Sequence, residues 1–404
     1  MGNPHLDHRI VLRKKEEHRI TAGHPWVFSN EIASVQGTPG PGDVVEVQNA
    51  GGRTLGIGFY HPHSLIAVRL LSPQLEEINP EFFRTRIVRA LSLRERTYRD
   101  SAVYRLVNGE SDFLPGLIID RFRDLFVLQT FSYGMDRRQG ELCDVLEDLL
   151  HPRCIVERNE SPLRALESLP ERRGVLRGEP APVEIEEHGI RYTINPLEGQ
   201  KTGFFLDQRE NRLLARRYSQ GARVLDCFCN DGGFALNAAR GGASSVLALD
   251  VSAEEIRRAS ANAELNDITT VRFETADVFE RLRSLREEGA RFDLLILDPP
   301  SFTRSRKNVP AAKRGYRELH ESALRILAPD ALLITASCSH HIEPETFLQV
   351  IQEAAFRCGR SLQILDWRGA APDHPVLPAA PETRYLKLGV FRVLETFTRE
   401  KGIL

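Results

Sequence analysis

Apolar and polar positions change rhythm twice along the chain. Up to residue 75, β-prone runs such as "DVVEVQN", "TLGIGFY" and "LIAVRLL" are separated by turns such as "GTPGPGD" and "AGGR". Short strands between Gly/Pro turns predict a small β domain over residues 1–75. Residues 76–183 mix both periods. "PEFFRTRIVRALSLRERTY" has helical spacing, "LIIDRFRDLFVLQTF" reads as a strand pair, and "HPRCIVERNE" as a short strand and turn. "LPERRGVLRGEPAPVEIEEHG" carries Pro and Gly and reads as the linker out of this central α/β domain. Over residues 184–404, the alternating "VEIEEHGIRYTIN" predicts a hairpin. Strand and helix patterns then take turns through "RVLDCF", "GGFALNAARG", "SSVLALDV", "SAEEIRRASANAELN", "RFDLLILD" and "ALLITASCS". Apolar strand runs alternating with amphipathic helices predict a parallel α/β sheet covered on both faces. Its ligands are expected at the carboxyl ends of the strands.

Composition narrows the class without changing this picture. Hydrophobic residues are 41% and charged residues 27% of 404 positions, which excludes a collagen, a coiled coil and a mostly disordered chain. No stretch reaches the roughly 18 uncharged apolar residues of a membrane helix. The opening stretch has no apolar core, so a secretory signal is not expected. Six cysteines at irregular spacing do not make a disulfide framework; reduced thiols and a cytoplasmic protein are expected. Lys+Arg 54 nearly balance Asp+Glu 56, but the cations cluster. One group is Arg84, Arg86, Arg89, Arg94, Arg96, Arg99 and Arg105; the other is Arg304, Arg306, Lys307, Lys313, Arg314 and Arg317. Each is either a footprint for a polyanion or a solvated helix face. Trp26 and Phe28 beside basic residues fit base stacking and equally a plain β core.

The first strand of the C-terminal region leads to Asp226 and then to "CFCNDGGF". Asn230 or Asp231 is suited to cap the next helix, and Gly232 and Gly233 suit close approach of a ligand to the backbone. The string is neither the GxGxxG of a dinucleotide site nor a phosphate loop with its lysine. Asp250 ends the second strand, where a carboxylate accepts ribose hydroxyls. Asp277 follows the third, within reach of an adenine amino group. Acidic helix caps are common, yet three acidic strand ends in succession suit an adenosyl group bearing a positive sulfonium, and S-adenosylmethionine is the expected cofactor.

The fourth strand delivers "LLILDPPSF", with Asp298 at the reactive edge and Pro299 and Pro300 donating no N–H. In amine methyltransferases an aromatic often follows directly, whereas here Ser301 precedes Phe302. The fifth strand ends in "SCSHH". A thiolate there can add to carbon 6 of a pyrimidine and make carbon 5 nucleophilic; a buried structural cysteine is the other reading of Cys338. His340 and His341 could tune that sulfur, contact phosphate or lie on the surface. Cys227 and Cys229 are not at zinc spacing. Cys143, Cys154 and Cys358 read as core, and His61 with His63 makes no metal set.

"AGHPWVFSNEI", "YRLVNGESDFLPGLIIDRF", "GQKTGFFLDQRENR", "LDCFCNDGGF", "LDPPSF" and "SCSHH", in this order over nearly the whole chain, resemble the RlmI-type bacterial ribosomal RNA methyltransferases. The resemblance implies an N-terminal PUA domain, a central α/β domain and a C-terminal Rossmann-like S-adenosylmethionine domain. It implies cytosine carbon-5 methylation of large-subunit ribosomal RNA without a metal, a homodimer, and Cys338 as nucleophile. "GFFLDQRENR" is similar to the family's cofactor-entry motif, which adds Phe205, Asp207, Gln208 and Arg212, with Arg209 beside them. Phe234 of "LDCFCNDGGF", and Asp298 and Pro299 of "LDPPSF", are further candidate cofactor-binding residues. Two departures stand out. Asp231 replaces the family's usual Thr and brings a negative charge near the expected methionine carboxylate. The second cysteine of another branch of RNA cytosine methyltransferases is missing, so Asp298 is the candidate base for product release. The competing readings are a guanine-nitrogen or uracil carbon-5 methyltransferase of the same fold, and a non-catalytic RNA-binding protein.

Overall fold

The computed structural model describes residues 6–198, 202–303 and 305–395. The chain divides into two units. One is the chain up to Ile185 with Thr193–Leu206 and Pro372–Thr383; the other is Glu186–Tyr192, Asp207–Ala371 and the chain from Arg384.

In the first unit the β-prone runs pair into a six-stranded sheet. Its order is Trp26–Phe28, Ile66–Ser72, Thr54–Tyr60, Val44–Gln48, Arg9–Leu12, Ile32–Gln36. Alternate positions face one side of a strand, and Ile10, Leu12, Val45 and Val47 are buried there. A second sheet of five strands runs Arg172–Gly178, Cys154–Asn159, Leu125–Thr130, Leu117–Phe122, Val103–Asn108. Helices Pro80–Thr97 and Gln139–Leu150 pack on it. The first of these starts where Asn79 accepts from the Phe82 amide and Pro80 occupies the first turn, the arrangement that satisfies an orphan N–H and supplies a preset φ. Phe59 and Leu71 of the first sheet share one core with Phe83, Ile87 and Leu128.

The linker reading of this region needs correction. Arg172–Gly178 is an edge strand antiparallel to Cys154–Asn159, and Val183–Glu187 forms the expected hairpin with Ile190–Ile194. None of the residues in Arg172–Gly178 is buried. A strand with one free edge and no buried side chain keeps the composition of a linker even though its backbone is paired.

Among its described residues the second unit carries a sheet of seven strands, here β1 (Arg223–Cys227), β2 (Ser245–Asp250), β3 (Val271–Thr275), β4 (Phe292–Leu297), β5 (Leu327–Ser337), β6 (Arg360–Arg368) and β7 (Lys387–Glu395). The helices between them are α1 (Gly233–Arg240), α2 (Ala253–Leu265), α3 (Val278–Glu287), α4 (Val309–Leu324) and α5 (Pro344–Arg357). The strand order is β3-β2-β1-β4-β5-β7-β6. β1 to β5 are mutually parallel, while β7 runs antiparallel to both β5 and β6. The order reverses between β1 and β4, which opens a crevice at their carboxyl ends. Register places Cys227 opposite Leu297 and Leu297 opposite Thr335, so the turns after β1, β4 and β5 leave at one edge. Because β7 runs the other way, its first residue, Lys387, sits at that same edge opposite Ser337. Among the described residues no helix is long and apolar enough to cross a membrane.

Candidate active site

The turn after β1 is held in an unusual backbone shape. Phe228, Asn230 and Gly232 all have positive φ, at 66°, 48° and 82°. Only short polar residues and glycine visit this region readily, and three anchors keep it there. The Cys229 amide donates to Leu249 O, the Asn230 amide to Asp250 Oδ2 at 3.1 Å, and Asn262 Nδ2 to Asp231 O at 3.1 Å. Neither Asn230 nor Asp231 caps α1 through its side chain. The cap residue is Gly232 in the left-handed conformation, with no side-chain bond. Asp231 instead bonds Arg258 of α2 at 2.7 Å. The charge that departs from the family pattern is therefore paired within the protein. Gly233 is also needed within the protein itself: a Cβ there would lie 2.5 Å from Arg212 Nε. The glycine admits Arg212, whose guanidinium bonds Glu187 Oε1 at 2.7 Å. Arg209 shares the same carboxylate at 3.3 Å. Phe234 is buried on α1.

Asp226, the penultimate residue of β1, is fully buried, and neither carboxyl oxygen has a hydrogen-bond partner of ordinary geometry. Burial first, then the neighbouring Asp298 and Asp250 carboxylates, push its pKa up to about 8, moderated by the Ala235 amide and Arg212. An orphaned buried carboxyl between two others fits a cationic ligand group, whose arrival would favour ionisation. Asp250 accepts from the Asn230 and Ser252 amides through different oxygens, which orients the carboxylate at the end of β2. Asp277 caps α3 by accepting from the Glu280 amide at 3.0 Å; the side chain is exposed at the end of β3. Asp207 Oδ2 accepts from Tyr385 at 2.6 Å. Gln208 Nε2 donates to Asp298 Oδ2 at 2.9 Å, and Asn211 holds Gln208 Oε1 at 2.7 Å. The strand-end carboxylate Asp298 is thus joined to the entry motif. Phe205 belongs to the other unit, and residues 199–201 of the motif lie outside the described residues.

The turns after β4 and β5 are tied together by hydroxyls. Ser339 Oγ meets Ser301 Oγ at 3.1 Å, accepts from the Phe302 amide at 3.2 Å and meets Tyr316 Oη at 3.0 Å. Tyr316 also donates to Ser337 at 2.9 Å. Burial pushes its phenol up to about 12, so it acts as a neutral hydrogen-bonding hub. This network sets the half-buried Cys338 turn beside Asp298, Pro299 and Pro300. Lys387, from β7, is buried and donates to Ser339 O at 2.7 Å and Tyr385 O at 3.0 Å. The sequence reading missed Tyr316, Ser337, Ser339, Arg258, Glu187 and Lys387. The one available signal was the Ser-Cys-Ser string itself, since each serine flanking the cysteine has a partner.

Other candidates divide between buried and exposed positions. His61 is buried and bonds Glu167 O at 3.1 Å; His340 is exposed, with its ring 5.6 Å from that of Tyr385. None of the six cysteines is in a disulfide; Cys143, Cys154, Cys227 and Cys229 are buried and Cys358 is half-buried just after α5. Among the described residues no group of three or more His, Cys, Asp or Glu is placed to hold a metal. Trp26 donates to Glu110 at 2.9 Å, and Phe28 lies under Arg19. The first arginine cluster is not one surface. Arg94 is fully buried and forks onto Asp112, and Arg105 pairs with Asp120. In the second, Arg306, Lys307 and Arg314 are exposed at the start of α4 and form no ion pair among the described residues; Arg304 lies outside the described residues.

The sequence matches the PUA-like domain family over residues 10–73 and the S-adenosylmethionine-dependent methyltransferase family over residues 170–391. Proteins named ribosomal RNA large subunit methyltransferase I are similar over nearly full length. That of Tolumonas auensis is 40% identical, over 95% of this chain and 99% of its own length. That of Shewanella denitrificans is 42% identical over the same shares. The chain belongs to the ribosomal RNA large subunit methyltransferase I family. Its cofactor is S-adenosylmethionine. Among solved structures, a candidate SAM-dependent methyltransferase from Streptococcus mutans has the same fold, with TM-score 0.82 at 21% identity over 95% of this chain and 99% of that one. A candidate methyltransferase complexed with SAH has TM-score 0.84 at 22% identity, over the same shares. The PUA-like N-terminal domain, the mixed α/β architecture and the methyltransferase sheet expected from the sequence are borne out.

Proposed function

We propose that this protein transfers a methyl group to carbon 5 of a cytosine in large-subunit ribosomal RNA. The observation that carries the reading is Cys338, half-buried directly beyond β5 and linked through Ser339 and Ser301 to the Asp298 turn. S-adenosylmethionine supplies a methyl on a positively charged sulfur. Asp226, Asn230, Asp231, Gly232, Gly233, Phe234 and Asp250 would line its pocket, with Asp250 on the ribose hydroxyls and Asp277 toward the adenine. Phe205, Asp207, Gln208 and Arg212 belong to the entry motif. The target base leaves its stack so that its ring edge is accessible. Cys338 Sγ bonds carbon 6, carbon 5 bonds the methyl as the cofactor's sulfur–methyl bond breaks, and Asp298 removes the carbon-5 proton. The carbon–sulfur bond then breaks and its electron pair returns to Cys338.

The relatives' names support the ribosomal substrate, and the exposed Arg306, Lys307 and Arg314 beside the β4 turn supply a phosphate footprint. Residues 1–75 would hold RNA, 76–183 form the central domain and 184–404 carry catalysis. A cytoplasmic homodimer completes the proposal, and light scattering tests its oligomeric part. The deciding experiment is mass spectrometry of ribosomal RNA incubated with labelled cofactor and with wild-type or Cys338→Ala protein. 5-Methylcytosine with the wild type and none with the variant is expected. A labelled guanine, or full activity of the variant, would overturn the reading.

A further inference from the structure

We propose that Lys387 is a positioning residue whose buried ammonium is the counter-charge holding the Cys338 sulfur as a thiolate. The proposal rests on the pyrimidine reading only for what that thiolate does. A lysine is rarely buried without a partner for its charge, and Lys387 is 3% exposed. Its two hydrogen bonds, to Ser339 O and Tyr385 O, satisfy donors but do not neutralise it. Among the described residues it forms no ion pair. It enters from β7, the one strand beside β5 that begins at the reactive edge, opposite Ser337. Its ammonium therefore lies under the turn that carries Cys338. An uncharged side chain such as Met would pack there without desolvating a charge, so an anion appearing at this place is what makes the lysine useful.

Burial lowers the Lys387 pKa to about 8, while Cys338 and Glu343 each raise it. Tyr316 interacts with Cys338 and Asp298, and the His340 ring lies 5.6 Å from that of Tyr385. Before attack the thiol gives its proton to solvent and the ammonium keeps its own three. The sulfur lone pair forms the bond to carbon 6. When that bond breaks, the electron pair returns to a sulfur again facing the ammonium, so the same charge assists attack and release.

The test is the rate at which iodoacetamide alkylates Cys338, mapped by peptide mass spectrometry and followed against pH in wild type, Lys387→Met and Lys387→Arg. At pH 7 the wild-type sulfur should react about tenfold faster than in Lys387→Met, with a midpoint about one pH unit lower. Lys387→Arg should keep the low midpoint. A purely structural role would change amplitude or melting temperature and leave the midpoint in place; an unchanged midpoint in Lys387→Met overturns the proposal. If that variant does not fold, ultraviolet thiolate absorbance of wild type minus Cys338→Ser decides. Thiolate already present at pH 7 supports the proposal, and its appearance only near about 8.5, the ordinary cysteine value, overturns it. No RNA or cofactor enters these measurements. Their failure is thus separate from that of the cytosine reading, which the Cys338→Ala methylation assay tests.

Discussion

Replacing Asp226 with Asn should make the cofactor-free protein more stable at high pH and a poorer binder of S-adenosylmethionine. The carboxyl is fully buried with neither oxygen in a hydrogen bond of ordinary geometry, and its pKa is pushed up to about 8 against an ordinary 3.8. Below 3.8 the group is protonated whether the chain is folded or not, so it does not affect stability. From there up to about 8 the unfolded chain releases the proton and the folded protein retains it. Stability therefore falls as pH rises and levels off above about 8. Each pH unit is worth about 1.4 kcal/mol, so a rigid site would lose ~6 kcal/mol across this window. Local relaxation and water entry bring such penalties to about 2–3 kcal/mol. The amide cannot ionise, so the declining limb should vanish. Melting curves at pH 4 and pH 8.5 check this. Wild type and variant should agree within about 0.5 kcal/mol at pH 4, and the variant should melt several degrees higher at pH 8.5. Calorimetry should show wild-type affinity for S-adenosylmethionine rising between pH 6 and 8 and a flat, weaker affinity in the variant. A pH-independent difference between the two proteins would refute the assignment of this carboxyl.

Three further outcomes follow from the same structure. Arg94→Met should lose about 3–5 kcal/mol in denaturant unfolding, because it strands the Asp112 carboxylate that Arg94 meets at 2.6 Å while fully buried; loss below about 1 kcal/mol contradicts this. Arg258→Met removes the partner of Asp231 and should lower stability by about 1–3 kcal/mol near pH 7. Asp231 takes up a proton more readily as pH falls, so that loss should shrink at pH 5 in thermal melts. Arg306→Glu with Lys307→Glu should weaken ribosomal RNA binding and reduce the slope of log affinity against log salt by about 2, read in a salt-titrated binding assay; an unchanged slope removes these residues from the footprint.

Much of this protein was legible in one dimension. The apolar strand runs and amphipathic helices of residues 223–368 are local patterns that only a covered parallel sheet satisfies. Acidic residues at successive strand ends, together with Cys338 and Asp298, were readable as a site because strand ends are where such a sheet opens. What local pattern could not provide was partnership. Arg172–Gly178 has a linker's composition and a strand's hydrogen bonds, since an edge strand leaves no buried stripe to read. Asp231 looked like a helix cap beside a ligand; Arg258, one helix away, made it an ion pair. Gly233 looked like room for a cofactor alone; a side chain there would also collide with Arg212. Lys387 lies 49 positions from Cys338 in the chain and nothing in its neighbours marks it. The antiparallel pairing of β7 with β5 brings its charge to the reactive edge, because electrostatic and hydrogen-bond partners are chosen by distance in space, which only the folded sheet supplies.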